Sequence, residues 1–208
     1  MKTILAILAL SAIGACQEDQ KSSPLFQLMI ESSNSTLNGT VLGACHQGAV
    51  TEGFCYTGKD VAEPPSWSTS FYFNVSSSAE DDIDKQGTIG WTLHGGNFNL
   101  TSSMSDLSYD PTSNLAHPII SAGANKYSGN IYFGSCGHLY IADYTDDTTD
   151  PATYLNPPAK LENWYICLTR WSYLYWSLVW KVGTKGEPQN PTCQKVRVKR
   201  VFNQLASS

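Results

Sequence analysis

Asn163-Trp164-Tyr165-Ile166-Cys167-Leu168-Thr169-Arg170-Trp171-Ser172-Tyr173-Leu174-Tyr175-Trp176-Ser177-Leu178-Val179-Trp180 is the stretch from which the fold is most readily read. It holds two runs of aromatic and β-branched residues around a polar break, which is the pattern of a β-hairpin. In strand geometry side chains alternate between faces. Leu174, Trp176, Leu178, Trp180 and Val182 therefore share one face, expected to be core. Tyr173, Tyr175, Ser177, Val179 and Lys181 share the other, an amphipathic face. The last strand repeats the device, with Val196 and Val198 inward and Lys195, Arg197 and Lys199 outward.

Similar short runs occur at 26–30, 40–44, 71–75, 88–93, 131–133, 139–142, 164–169, 174–182 and 195–201, separated by Gly, Pro, Asn and Ser. No helix-length window keeps a 3.6-residue period. The expected fold is all-β, a single antiparallel β-sandwich or barrel over 24–202, stapled by disulfides. A chain of 208 residues with 41% hydrophobic content suits one core better than two. The acidic run 76–85 and the Asp-, Thr- and Pro-rich stretch 143–158 read as surface loops.

The N-terminus reads as an export signal. Lys2 precedes the apolar run Ile4-Leu5-Ala6-Ile7-Leu8-Ala9-Leu10, and small residues lead to Ala15. The reading places a signal peptide at 1–15, a polar segment at 16–23 and a short tail at 203–208. Ile13-Gly14-Ala15-Cys16 would also serve as a bacterial lipoprotein signal. Four glycosylation sequons, at Asn34, Asn38, Asn74 and Asn99, favour a eukaryotic secretory route instead. No later stretch has the apolar length of a membrane-spanning helix, and the tail lacks a glycolipid-anchor signal.

Six cysteines fit an oxidising destination. Cys45 and Cys55 flank a glycine-containing segment and are expected to bond, closing a loop worth about 3 kcal/mol. The pairing of Cys16, Cys136, Cys167 and Cys193 stays open. The net charge of −5 becomes −6 once the leader, with its single charge at Lys2, is removed, which disfavours nucleic acid as a partner.

Several segments together resemble a family of small secreted proteins of filamentous fungi known only as a domain of unknown function. They are Trp164-Tyr165-Ile166-Cys167, Leu178-Val179-Trp180, Pro188-Gln189-Asn190-Pro191-Thr192-Cys193-Gln194-Lys195-Val196, Lys199-Arg200-Val201-Phe202, Leu37-Asn38-Gly39, Cys45-His46-Gln47-Gly48-Ala49, Glu52-Gly53-Phe54-Cys55 and Leu107-Ser108-Tyr109-Asp110-Pro111. The resemblance covers nearly the whole mature chain. It implies a fungal source and secretion, and no particular activity.

Catalytic signatures are missing. His46, His94, His117 and His138 have no metal spacing, no GxSxG elbow occurs, and Gly134-Ser135-Cys136-Gly137 reads as a turn or bulge. Carboxylates are plentiful at Glu80, Asp81, Asp82, Asp84, Asp143, Asp146, Asp147, Asp150 and Glu162, but solvated loops account for them better than a glycosidase pair does. A weak calcium site at 143–150 ranks lower still, since the EF-hand pattern is missing. No catalytic residue, metal ligand or cofactor is assigned.

The chain thus reads as a secreted extracellular glycoprotein that binds rather than catalyses, with cell-wall glycan or a host extracellular molecule as partner. A carbohydrate-active glycoside hydrolase is the alternative. Of the six tryptophans most are expected in the core. Trp171 at the hairpin turn, with Tyr173 and Tyr175 on the amphipathic face, is the candidate binding surface.

Overall fold

In the computed structural model, residues 20–122 and 130–202 are described. The expected signal peptide, Cys16 and the 203–208 tail lie outside them. Fifteen strands follow one another: β1 (Gln20–Ser22), β2 (Phe26–Glu31), β3 (Thr40–Gly48), β4 (Thr51–Asp60), β5 (Tyr72–Ser76), β6 (Gly87–His94), β7 (Asn99–Tyr109), β8 (Leu115–Ala122), β9 (Ile131–Phe133), β10 (Leu139–Asp146), β11 (Thr153–Leu161), β12 (Trp164–Arg170), β13 (Leu174–Lys181), β14 (Gln194–Lys195) and β15 (Arg197–Phe202). The class is all-β, and every pairing between these strands is antiparallel.

The principal path runs β11-β10-β9-β6-β7-β8-β13-β4-β3-β2-β15, with β5, β1, β12 and β14 as branches. This sheet does not close into a barrel. It folds over one core, so residues from distant strands meet. Phe26 of β2 packs edge-on against Phe133 of β9 at 5.6 Å, and Phe133 meets Phe73 of β5 at 5.0 Å. Trp164 of β12 is fully buried, lies 4.8 Å from its cross-strand partner Trp180 and donates its indole N–H to the Leu139 carbonyl of β10 at 2.9 Å. That bond satisfies a polar atom whose burial would otherwise cost about 1–3 kcal/mol.

At one end of the core the buried Arg200 guanidinium stacks on the rings of Phe133, Phe202 and Phe26 and is neutralised by Asp82. Its backbone N–H donates to the Gly137 carbonyl at 2.8 Å. Gly134–His138 thus forms the turn between β9 and β10, closed by Gly137 N–H to Gly134 O at 2.8 Å, with Gly137 at φ +79°. That left-handed conformation favours glycine, which agrees with the turn reading of this segment.

Cys45 and Cys55 are bonded across the β3–β4 hairpin, and Cys167 bonds Cys193. Cys136 is exposed and unbonded among the described residues.

Two expectations are corrected. The stretch 143–158 is not one loop, because β10 continues through Asp146 and β11 begins at Thr153, carrying Pro157 and Pro158. Proline is tolerated there because β11 ends the principal path and has a free hydrogen-bonding edge. Leu174, Trp176 and Val182 are not core: they are 51%, 39% and 37% exposed, whereas Leu178 and Trp180 are buried. Alternation does hold, and Val196 and Val198 point inward as expected. The core simply ends before the strand does.

Glu52 of β4 is 5% exposed, sits opposite His46 of β3 and Ile120 of β8, and its Oε2 has no hydrogen-bond partner among the described residues. Burial raises its pKa from the usual carboxylate range to about 7. The folded chain therefore holds a proton that the unfolded chain releases near pH 4.5. Stability falls as pH rises from about 4.5 to 7 and is lowest above that window, a loss on the order of 2–3 kcal/mol. Chemical denaturation at pH 5 and pH 8 should show that loss in the parent and little of it in Glu52→Gln.

Candidate functional site

β12 pairs with β13 along its length, but the other edge of β13 is gripped over its second half only. Trp180 and Lys181 pair with Ala116 and Leu115 of β8, and Ser177 pairs with Cys55 of β4. From Ser177 onward both faces of the strand are covered. Leu178 and Trp180 enter the main core, while Val179 joins a second cluster with Leu115, Tyr165, Cys167 and the half-buried Cys193. The covering layer is the segment before β14. The Cys167–Cys193 bond holds it, as do Asn190 Nδ2 donating to Leu168 O at 3.0 Å and Leu168 N–H donating to Thr192 Oγ1 at 2.9 Å.

Before Ser177 neither cover reaches, and the hairpin of β12 and β13 projects. Its tip exposes Trp171 (40%), Tyr173 (48%), Leu174 (51%) and Trp176 (39%), with Tyr175 half-buried. The three expected binding residues are thus brought together, and Leu174 and Trp176 join them from the opposite face. Tyr173 lies 6.3 Å ring to ring from Tyr175 and 5.4 Å from His46 of β3.

One side chain fixes this tip to the body. Gln47, 3% exposed, accepts from the backbone N–H groups of Ser172 and Tyr173 at 3.3 Å each. Gly53 lets the amide pass, since a Cβ there would lie 3.3 Å from Gln47 Cγ and Nε2. Sequence reading missed Gln47, because nothing in a lone glutamine announces a contact 125 residues away. It missed Trp176 because period-2 reasoning assigns a face but not where the core stops.

A second exposed ring, Trp67 (59%), leans on Trp91 at 5.9 Å and on His94 at 6.5 Å. Trp91, Trp164 and Trp180 are core, so the six tryptophans divide evenly between core and surface.

The acidic residues mostly serve structure. Asp84 receives Tyr140 Oη at 2.7 Å and Lys160 Nζ at 2.6 Å, and these contacts hold its carboxyl below the usual range. Glu162 takes two bonds from Arg197, at 2.7 and 3.1 Å. His138 sits between Glu31 and Arg197: its Nε2 is 2.9 Å from Glu31 Oε2 and its Nδ1 is 3.0 Å from Arg197 Nη2. Arginine only donates, so Nδ1 accepts and Nε2–H donates to the carboxylate. No three His, Cys, Asp or Glu among the described residues gather as a metal site needs. Nor is any helix among them long and apolar enough to cross a membrane.

The sequon asparagines differ. Asn38 and Asn99 are exposed, while Asn34 and Asn74 are half-buried. Asn34 donates from Nδ2 to Gln194 Oε1, Asn74 Oδ1 accepts from Ser22 Oγ at 2.5 Å, and Asn99 Oδ1 lies 2.9 Å from His94 Nδ1.

The model of the family described as a domain of unknown function, DUF7907, matches residues 23–202, so the chain belongs to that family. No curated protein and no solved structure gives a significant match.

Gln47→Ala should leave two N–H groups at the tip without their acceptor. We expect amide exchange at Ser172 and Tyr173 to speed up by about tenfold or more while the core amides keep their protection. Equal protection in parent and variant would show that the tip is held otherwise.

Proposed function

We propose that the chain is a secreted fungal glycoprotein that works outside the cell as a non-enzymatic binding protein, associated with the cell wall or meeting a host molecule. Its contact surface is the tip of the β12–β13 hairpin. The observation that carries this reading is the set of exposed rings at the hairpin tip, Trp171 and Tyr173 with Trp176 on the other face, beside the Gln47 anchor. Exposed Trp and Tyr give large contact area for little lost rotamer entropy, and a ring face suits the apolar side of a pyranose. Export is supported by the leader, the four sequons and the two disulfides. Binding is favoured over hydrolysis because the carboxylates at 31, 84 and 162 are tied up in ion pairs or hydrogen bonds, and because Glu52 lies buried in the sheet.

The test is retention of the full secreted chain on insoluble wall glycans, chitin and β-glucan, and on extracellular host extract. Replacing Trp171, Tyr173 and Trp176 together by alanine should weaken retention by tenfold or more, since aromatic hot spots cost about 2 kcal/mol each. Trp67→Ala should leave it unchanged. A folded triple variant that is retained like the parent refutes the assignment of the tip. Release of reducing sugar by the parent would favour the hydrolase.

A further inference from the structure

A groove of about 610 Å³ lies along the outer face of β2 and β15. Half-buried Met29 lies along it, with Glu31 and Arg197 as charged neighbours and Ser32 and Ser33 beside them. Asn38 and Gly39 form one rim, Lys195 and Val196 another.

Asn38 is therefore both a sequon residue and a wall of this groove. Its Oδ1 is pinned by the Ser32 N–H at 3.1 Å, which fixes the side chain, and the residue is exposed. Space is open beside it, for no heavy atom lies within 4 Å of where a Cβ on Gly39 would stand. Asn34, four residues earlier, is placed in the opposite way. Its Oδ1 takes both the N–H and the hydroxyl of Thr36, at 2.9 and 2.8 Å, and its Nδ2 clips the turn to Gln194 of β14.

We infer that Asn38, and not Asn34, carries an N-linked glycan, and that the first sugars of this glycan lie in the groove along β2 and β15. The inference rests on the secreted-glycoprotein reading above. Attachment precedes folding, so the folded geometry bears on which glycosylated chain can reach this fold. It joins Nδ2 to the anomeric carbon of a lipid-diphosphate-linked oligosaccharide, with loss of one Nδ2 proton and release of the lipid diphosphate. In the folded chain an N-acetylhexosamine has what the groove offers. Its apolar ring face meets Met29, and its hydroxyls meet the serines, Glu31 and Arg197, whose side chains are 31% and 50% exposed. A glycan on Asn34 would instead have to find room at a half-buried amide whose Nδ2 donates to Gln194 and so ties the 32–39 turn to the C-terminal strands.

The experiment uses the full chain secreted by a glycosylating eukaryotic host. Enzymatic deamidation in heavy-oxygen water marks each occupied asparagine. Hydrogen exchange is then compared before and after the glycan is removed from the folded protein, which avoids any failure of a variant to fold. The expected result is occupancy at Asn38 with Asn34 bare, and amides of 29–33 and 195–197 exchanging about tenfold faster once the sugar is gone. Occupancy at Asn34, with Asn38 bare or not, overturns the inference, as does an occupied Asn38 whose glycan can be removed with those amides unchanged. Secretion with all four sequons bare overturns it too, and marks the failure as lying in the glycoprotein reading rather than in the groove.

Discussion

The architecture depends on how far β13 is covered. Strand alternation alone would bury one face of that strand and expose the other along its whole length. Instead β8, β4 and the disulfide-held segment ahead of β14 cover it from Ser177 onward. Both Leu178 and Val179 are therefore fully packed, although they point to opposite faces. Before Ser177 the strand keeps its pairing with β12, but neither β8 nor β4 pairs with it. Leu174 and Trp176 are left in solvent because the sheet has run out, not because their faces differ from those of Leu178 and Trp180.

An exposed hairpin end of this kind would fray if its backbone groups had no partners. Gln47 prevents that by offering one buried oxygen to two N–H groups, and the Cys45–Cys55 bond two residues away stiffens the hairpin that carries it. Rigidity matters for recognition because a surface ordered beforehand has less entropy to lose on binding. At the opposite end of the core, Arg200 and Asp82 fill the gap between three phenylalanine rings and the β9–β10 turn. Gln47 and the Arg200–Asp82 pair are thus two of the polar anchors of an aromatic core.

Much of the fold was legible from residue order. The strand runs at 26–30, 131–133 and 164–169 recur as β2, β9 and β12 with little change at their bounds, and the Cys45–Cys55 pair follows from its glycine-bearing loop. β7 escaped notice because Asn99–Tyr109 is mostly Ser, Thr and Asn, and its half-polar pattern matches a loop as well as a strand. β4 carries Gly53 and Gly58, and β8 carries Pro118, each a residue that usually breaks a strand. β11 hid behind Pro157 and Pro158 for the same reason. The exposure of Trp171 and Tyr173 was legible, since the break at Ser172 marks a turn, whereas Tyr175 is half-buried. Trp176 and Gln47 were not, because their roles come from tertiary contacts with no local signature.

Hydroxyl-radical footprinting of the secreted chain, read residue by residue with and without wall glycan or host extract, tests the central claim most directly. The account predicts that Trp171, Tyr173 and Trp176 oxidise readily in the free protein while Trp91, Trp164 and Trp180 do not, and that the partner shields the first three and spares Trp67. Shielding at Trp67 with the hairpin tip left open, or slow oxidation of Trp176 in the free chain, would contradict it.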